Sequence, residues 1–374
     1  MVENKSLILA KHPIALPIVG EDLVVKSAPF DLEQASPEGG LILKTNYVSY
    51  DPYQRGRSEL SHLPFHHVRT NKPVKPNPAS HSTGFVLGEP ITNNALSTVV
   101  SSFNPRFKQG DVVIGNSSFS QYVLVPKARA DKDTESAGFS VVSNPLGLDP
   151  KIFLGALGMP GLTAYSSFYE IGKPKKGEAI FISAASGAVG QIVGQLAKRE
   201  GLVVIGSVGS EAKLEFIKET LGFDAGFNYK TEQPEQALKR LLKELGREGI
   251  DIYYDNVGGE QLDAALGALR NWGRVVCCGF ISQTSKRPED IYRLKNVQVI
   301  VGKRLNLRGF EVFDPDFGPK YSAEHQKNMQ RWIKDGEIKV QMSVTEGIEQ
   351  SAEGLVGMLK GENFGKAVLK IADL

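Results

Sequence analysis

From Ala179 to Ala185 the chain is apolar without alternation, the pattern of a strand covered on both faces in a parallel sheet. After a short run of small residues the spacing changes. Val189, Ile192, Val193, Leu196 and Ala197 fall at i, i+3, i+4, i+7 and i+8, one apolar face of a helix that packs back on the sheet. A second strand, Leu202-Val-Val-Ile-Gly-Ser207, follows at βαβ distance, then a helix from about Ser210 and a third strand, Ile250-Asp-Ile-Tyr-Tyr254. Val275-Val-Cys-Cys-Gly-Phe-Ile-Ser282 ends a further strand, and Gly158-Met-Pro-Gly-Leu-Thr-Ala-Tyr165 opens a helix ahead of the first. This alternation over residues 151–318 predicts an α/β domain with a doubly wound parallel sheet.

Residues 1–150 read differently. They carry no sustained helical period, and turn signals (Pro13, Pro17, Gly20, Pro29, Pro37, Gly39, Gly40) separate short apolar runs at Leu7, Leu23, Leu41, Val86 and Val112. Such spacing predicts a small β-rich barrel. Phe107-Lys-Gln-Gly-Asp-Val-Val-Ile-Gly115 reads as a hairpin entry that turns at Gly110 and Asp111. In the tail an amphipathic helix from Gln326 to Lys334 precedes Gly361-Glu-Asn-Phe-Gly-Lys-Ala-Val-Leu-Lys-Ile371, a turn into a strand that rejoins the barrel. The predicted division is therefore 1–150 with 319–374, and 151–318.

Length and composition add limits. A chain of 374 residues suits two domains. With 41% hydrophobic and 23% charged residues it is an ordinary globular protein. A net charge of +2 and the lack of a basic stripe with interleaved aromatics exclude a nucleic-acid surface. No apolar run approaches about twenty residues, and Met1-Val-Glu-Asn-Lys is not a signal-peptide start. The expected location is the cytosol, away from membranes. The two cysteines, Cys277 and Cys278, are adjacent and cannot form a disulfide framework or a cysteine-rich zinc site. His62, His66 and His67 lie close together without Cys or acidic partners at ligand spacing, so a solvated loop is expected there rather than a metal.

Candidate chemistry begins between the first strand and its helix. Ala184-Ala-Ser-Gly187-Ala-Val-Gly190 is a relaxed form of the glycine-rich dinucleotide fingerprint. Small residues there allow a tight turn, bring backbone N–H groups near a pyrophosphate and point a helix N-terminus at the anion. At the end of the second strand, where an NAD enzyme places a carboxylate for the ribose hydroxyls, stand Ser207-Val-Gly-Ser-Glu-Ala-Lys213. A cation and hydroxyls suit a 2′-phosphate, which points to NADPH; a solvated helix lysine is the alternative. Asp255-Asn-Val-Gly-Gly259 and the segment after Cys278 also leave the carboxyl ends of strands, where ligands bind in open α/β sheets. Tyr50-Asp-Pro-Tyr-Gln-Arg-Gly56 packs two phenols, a carboxylate and a guanidinium into a proline-bent loop. That set fits a pocket wall, or a turn packed by its own rings.

Together these segments resemble the zinc-free branch of the medium-chain dehydrogenase/reductases, and within it the prostaglandin reductase and plant alkenal double-bond reductase group. The resemblance is carried by Asp51-Pro-Tyr-Gln-Arg, Gly158-Met-Pro-Gly-Leu-Thr-Ala-Tyr, Ala185-Ser-Gly-Ala-Val-Gly, Phe227-Asn-Tyr-Lys, Tyr254-Asp-Asn-Val-Gly-Gly, Cys278-Gly-Phe-Ile-Ser-Gln and Gly361-Glu-Asn-Phe-Gly-Lys. It implies a Rossmann domain with a GroES-like barrel, NADPH as cofactor and a homodimer. It places Gly187, Ala188, Val189 and Gly190 at the pyrophosphate and Lys213 and Tyr229 at the 2′-phosphate. Asn256 would contact the cofactor beyond the third strand, and Asn363 would reach it from the C-terminal turn. Cys278, Gly279, Ile281, Ser282 and Thr284 would run beside the nicotinamide, and Phe310, Glu311 and Val312 would border it. One position departs from the group: Thr284 follows Ile281-Ser-Gln where a tyrosine is usual.

The implied reaction is hydride transfer from NADPH to the β-carbon of an enone or enal. The carbonyl oxygen then gathers negative charge and needs a donor. Tyr53, with the cofactor ribose hydroxyl, is the expected donor, Tyr292 lies a short loop from Thr284 as a second substrate-side phenol, and water gives the α-proton. A quinone reductase shares fold and cofactor, and an NADPH-binding scaffold with little catalysis is the alternative that the missing tyrosine favours.

Overall fold

The apolar run after Glu178 forms β1 (Ala179–Ile182), with all four side chains buried. Around it β2 (Val203–Val208), β3 (Ala225–Asn228), β4 (Ile250–Asp255), β5 (Leu269–Cys277) and β6 (Asn306–Gly309) complete a six-stranded sheet. The order is β3-β2-β1-β4-β5-β6, and every neighbouring pair is parallel. Winding reverses between β1 and β4, the switch point of a dinucleotide-binding sheet. Phe181 stacks on Tyr253 at 5.0 Å and on Phe227 at 5.8 Å between ring centroids. Side chains of this size contribute about 1.5–3 kcal/mol each when fully buried.

In the computed structural model, which describes residues 1–33, 39–58, 84–132 and 138–374, the sheet belongs to a unit made of Leu146–Met342 and Asn363–Lys366. Its helices include α1 (Met159–Ser167), α2 (Gly190–Arg199) and α3 (Gly318–Lys334). The tail helix is longer than its amphipathic stretch from Gln326, because Gly318 carries the chain past Val312. The Gly318 amide donates to the Val312 carbonyl at 2.7 Å, and a Cβ at 318 would lie 2.3 Å from that oxygen. The helix then packs on α1: Tyr165 donates to Glu324 at 2.6 Å, and Gln326 donates to the Leu157 carbonyl at 2.7 Å. The division expected at residue 318 therefore falls after 342. His325, buried against the Ala156 carbonyl, is kept neutral, since burial pushes its pKa down to about 4.

The other unit comprises Met1–Pro145, Ser343–Glu362 and Ala367–Leu374. Its sheet follows the path Met342–Glu346, Lys366–Lys370, Leu41–Ser49, Thr92–Ser102, Val112–Ser118, Phe139–Val141, with Tyr122–Val125 also paired to Leu41–Ser49. The last strand lies antiparallel to Leu41–Ser49, with Val368 opposite Ser49. A separate ribbon, Val2–Leu9 with Leu23–Phe30, joins through isolated bridges Ser6 to Ser120 and Ile8 to Pro90. Gly110, at φ 88°, turns the chain into Val112–Ser118, and its amide donates to the Val99 carbonyl at 2.9 Å. The Val86-Leu run is no strand: both side chains are exposed where the chain turns before Gly88. Pro37 and the histidines at 62, 66 and 67 lie outside the described residues.

Candidate active site

Between β1 and α2 the chain turns so tightly that Ala184 adopts φ 47°, unusual for a residue with a side chain. The Gly187 amide donates back to the Ala184 carbonyl at 2.9 Å. A Cβ at Gly190 would lie 2.5 Å from the Ala184 oxygen and 2.8 Å from the Ala185 Cα, so only glycine lets α2 begin directly under the turn. No side chain caps α2, which leaves its N-terminus as a partial positive charge suited to a pyrophosphate. Gly187 also bridges to Gly365, bringing in Asn363, whose amide donates to the Gly365 carbonyl at 2.6 Å. These contacts gather Gly187, Ala188, Val189, Gly190 and Asn363 around one turn.

At the ends of β2 and β3, Ser210 caps a short helix by accepting from the Lys213 amide at 3.3 Å. Burial lowers the Lys213 ammonium pKa, and the positive charge of Lys230 lowers it further. Tyr229 lies beside Gly209, where a Cβ would come 2.8 Å from the phenol oxygen. Glu211 turns away and accepts from Asn228 at 2.8 Å. Two ammonium groups that repel each other thus lie at the ends of β2 and β3, with the Tyr229 phenol at the same strand ends, and a dianion bound there would relieve the repulsion between the lysines. Sequence reasoning missed Lys230, although it directly follows Tyr229.

Beyond β4 the buried Asp255 carboxyl organises two loops. One oxygen accepts from Tyr253 at 2.7 Å, the Val257 amide at 2.9 Å and the Gly258 amide at 2.7 Å. Burial raises its pKa in spite of these donors. The Asp255 backbone carbonyl meanwhile accepts from the Cys278 amide at 2.9 Å and the Gly279 amide at 3.0 Å. Asn256 donates its side-chain nitrogen to the Ser183 carbonyl at 2.8 Å, which ties it to the turn after β1. Ile281 and Ser282 lie on the same frame, the Ser282 hydroxyl donating to the Val257 carbonyl at 2.7 Å. Burial pushes the Cys277 thiol up to about 11 and the Cys278 thiol up to about 12, so neither is a nucleophile at neutral pH. After β6, Phe310 packs on Phe317 at 4.9 Å, the Glu311 amide donates to Asp314 at 3.3 Å and Val312 is buried.

Thr284, expected beside the nicotinamide, and Tyr292, expected on the substrate side, both make hydrogen bonds within the chain. The Thr284 hydroxyl donates to the Phe280 carbonyl four residues back at 3.0 Å, the usual local bond of a helical threonine. Tyr292 donates to Asp263 at 3.0 Å, and the same carboxyl accepts from the Lys295 and Asn296 amides at 2.8 Å each. Its phenol fastens the loop to the helix after β4.

The Tyr50–Gly56 segment is not an open loop. Tyr53–Arg57 is a short helix, and most of its neighbourhood is interior. Tyr50 is 1% exposed and donates to the Ser351 carbonyl at 2.9 Å, so its ring is core. Arg57 donates to the Thr92 carbonyl and hydroxyl at 2.9 and 2.8 Å and lies 4.2 Å over the Phe85 ring. Tyr53 is 37% exposed, and its hydroxyl donates to Asn93 Oδ1. Burial raises the phenol pKa, and the Asp51 charge raises it further. Asn93, fully buried, drew no attention in the sequence because nothing marks a partner forty residues away.

Among the described residues no group of three His, Cys, Asp or Glu side chains is placed to hold a metal ion, and no helix is long and apolar enough to cross a membrane.

Residues 188–326 match the family described as zinc-binding dehydrogenase. The chain is 49% identical over 374 residues to an NADP-dependent oxidoreductase, RED1, of Cochliobolus heterostrophus, covering 100% of this chain and 99% of that one. It is 36% identical over 377 residues to the NADP(+)-dependent 2-alkenal reductase of Nicotiana tabacum, covering 99% and 98%. Among solved structures it is similar to CurA in complex with NADPH from Vibrio vulnificus, with a TM-score of 0.83, 29% identity and coverage of 99% and 100%.

Proposed function

The chain belongs to the medium-chain dehydrogenase/reductase family of NADP-dependent oxidoreductases, and from that premise we propose that it reduces the carbon–carbon double bond of α,β-unsaturated ketones and aldehydes. The observation that carries this reading is the likeness, over nearly the whole of both chains, to a plant 2-alkenal reductase. The cofactor is NADPH, which when bound supplies a hydride to the β-carbon.

The rest falls to this chain's residues. Lys213, Lys230 and Tyr229 hold the 2′-phosphate, and the turn from Gly187 to Gly190 holds the pyrophosphate at the uncapped end of α2. Asn256, held by Ser183, and the segment from Cys278 to Ser282, held by Asp255, border the nicotinamide with Phe310, Glu311 and Val312. Asn363 approaches from the C-terminal turn. Tyr53 touches the substrate. With the hydroxyls of Tyr53, Thr284 and Tyr292 each donating a hydrogen bond to an internal acceptor, the α-carbon takes its proton from water. A homodimer in the cytosol completes the reading.

NADPH oxidation with a trans-2-alkenal, an open-chain enone, the matching saturated aldehyde and a quinone tests it. The enal and enone should give products two hydrogens heavier with the carbonyl intact, and NADH should serve poorly. Oxidation by the quinone alone would make the protein a quinone reductase, and tight NADPH binding without turnover would make it a scaffold.

A further inference from the structure

The hydrogen bonds around Asn93 have a fixed polarity. Its Nδ2 faces two groups that can only accept, the Ser49 carbonyl at 2.8 Å and the Asp51 carboxylate at 3.0 Å. Its Oδ1 faces a group that can only donate, the Asn94 amide at 2.8 Å. The amide therefore cannot be turned over, because both ends would meet groups of their own kind. Ser49 reinforces the arrangement, its hydroxyl donating to the same Asp51 oxygen. The second lone pair of Asn93 Oδ1 receives Tyr53, and a neutral phenol has one proton to give.

We propose that Asn93 is a positioning residue that accepts the Tyr53 hydrogen bond, so that Tyr53 meets its ligand as a hydrogen-bond acceptor and selects substrates bearing a hydroxyl. This rests on the reading of Tyr53 as a substrate residue and reverses the expectation that it donates to the carbonyl oxygen. The carbonyl of an enone offers only lone pairs and is repelled by an acceptor. A hydroxyl elsewhere on the same substrate supplies the donor that Tyr53 lacks. Asp51 and Ser49 act through Asn93 and set the direction of the whole chain of bonds.

The test uses the full-length protein with NADP+ and a short series of open-chain enones, each with a hydroxyl two to four carbons beyond the double bond and each paired with its methyl ether. Dissociation constants come from calorimetry. For at least one pair the wild-type protein should bind the hydroxyl member about threefold to tenfold more tightly, the span of one net hydrogen bond. Tyr53→Phe, which keeps the ring, should erase that preference and leave the ether unchanged. Asn93→Ser, too short to reach the phenol, should free the proton and shift preference towards the ether; circular dichroism checks that this variant is folded. Equal weakening of every ligand in Tyr53→Phe would overturn the proposal and return Tyr53 to the role of carbonyl donor. Equal binding of both members of every pair by the wild type would also overturn it. If the wild type binds NADPH but binds and reduces no enone, the double-bond reading falls first and this inference with it.

Discussion

The cofactor end of the parallel sheet and the segment around Tyr53 are built in opposite ways. At the sheet, backbone does the positioning: Ala184 bends at φ 47°, Gly190 leaves room for two backbone atoms, and the Asp255 carbonyl pins the Cys278 and Gly279 amides. Around Tyr53, side chains position one another through buried groups far apart in sequence, Ser49, Asp51 and Asn93. A backbone-built site tolerates change in most side chains and fails at a few glycines. A side-chain-built site has graded, pairwise weaknesses, because each member of the network depends on its partners.

The comparison can be broken most severely at Gly190. Gly190→Ala forces a Cβ to 2.5 Å from the Ala184 oxygen, and overpacking of this kind costs about 2–3 kcal/mol. NADPH binding followed by cofactor fluorescence should weaken by about a hundredfold; an unchanged dissociation constant would show that α2 can slide and that the turn is not tight. Lys213→Ala and Lys230→Ala should each weaken NADPH about tenfold to a hundredfold, the worth of a hydrogen bond to a charged group, while NADH binding stays the same. Equal losses for both cofactors would place neither lysine at the 2′-phosphate. Thr284→Ala removes only a local bond to the Phe280 carbonyl. Thermal unfolding should shift by no more than about 0.5 kcal/mol and turnover should hold; a collapse in turnover would give Thr284 a part in the reaction. The smallest effect concerns the cysteines. With Cys277 raised to about 11 and Cys278 to about 12, both are thiols throughout the neutral range, and their thiolates appear only as pH approaches those values. A thiol reagent at pH 7.5 should leave the native protein unlabelled and label both residues in denaturant; rapid native labelling would mean an exposed, activated thiolate.

What could be read from the sequence follows the same division. β1, β2 and β4 announce themselves because buried parallel strands are apolar throughout, and the glycine turn is readable because its geometry admits few residue types. The edge strands β3 and β6 were not legible: Ala225-Gly-Phe-Asn228 and Asn306-Leu-Arg-Gly309 are four residues each, without an apolar run. The start of α3 was hidden because its first turn is Gly-Pro-Lys, with the apolar face beginning later. Lys213 was readable as a type suited to an anion and Tyr229 came only with the family resemblance, whereas Lys230 needed the fold to bring β2 and β3 side by side. Around Tyr53 only residue types were legible. That Tyr50 would be core, and that Tyr53 would donate to Asn93, depends on pairing between Leu41–Ser49 and Thr92–Ser102, which no local pattern encodes. The same holds for Tyr292, whose acceptor Asp263 lies on another element.

The most direct test of the central claim follows the hydride itself. NADPH carrying deuterium at C4, on either face in separate runs, is oxidised with a trans-2-alkenal, and the product is examined by NMR and mass spectrometry. Deuterium is expected on the β-carbon from one face only, with the aldehyde intact and the α-hydrogen drawn from solvent. Deuterium on the former carbonyl carbon of an alcohol, or an alkenal returned unlabelled while a quinone is reduced, would contradict that claim.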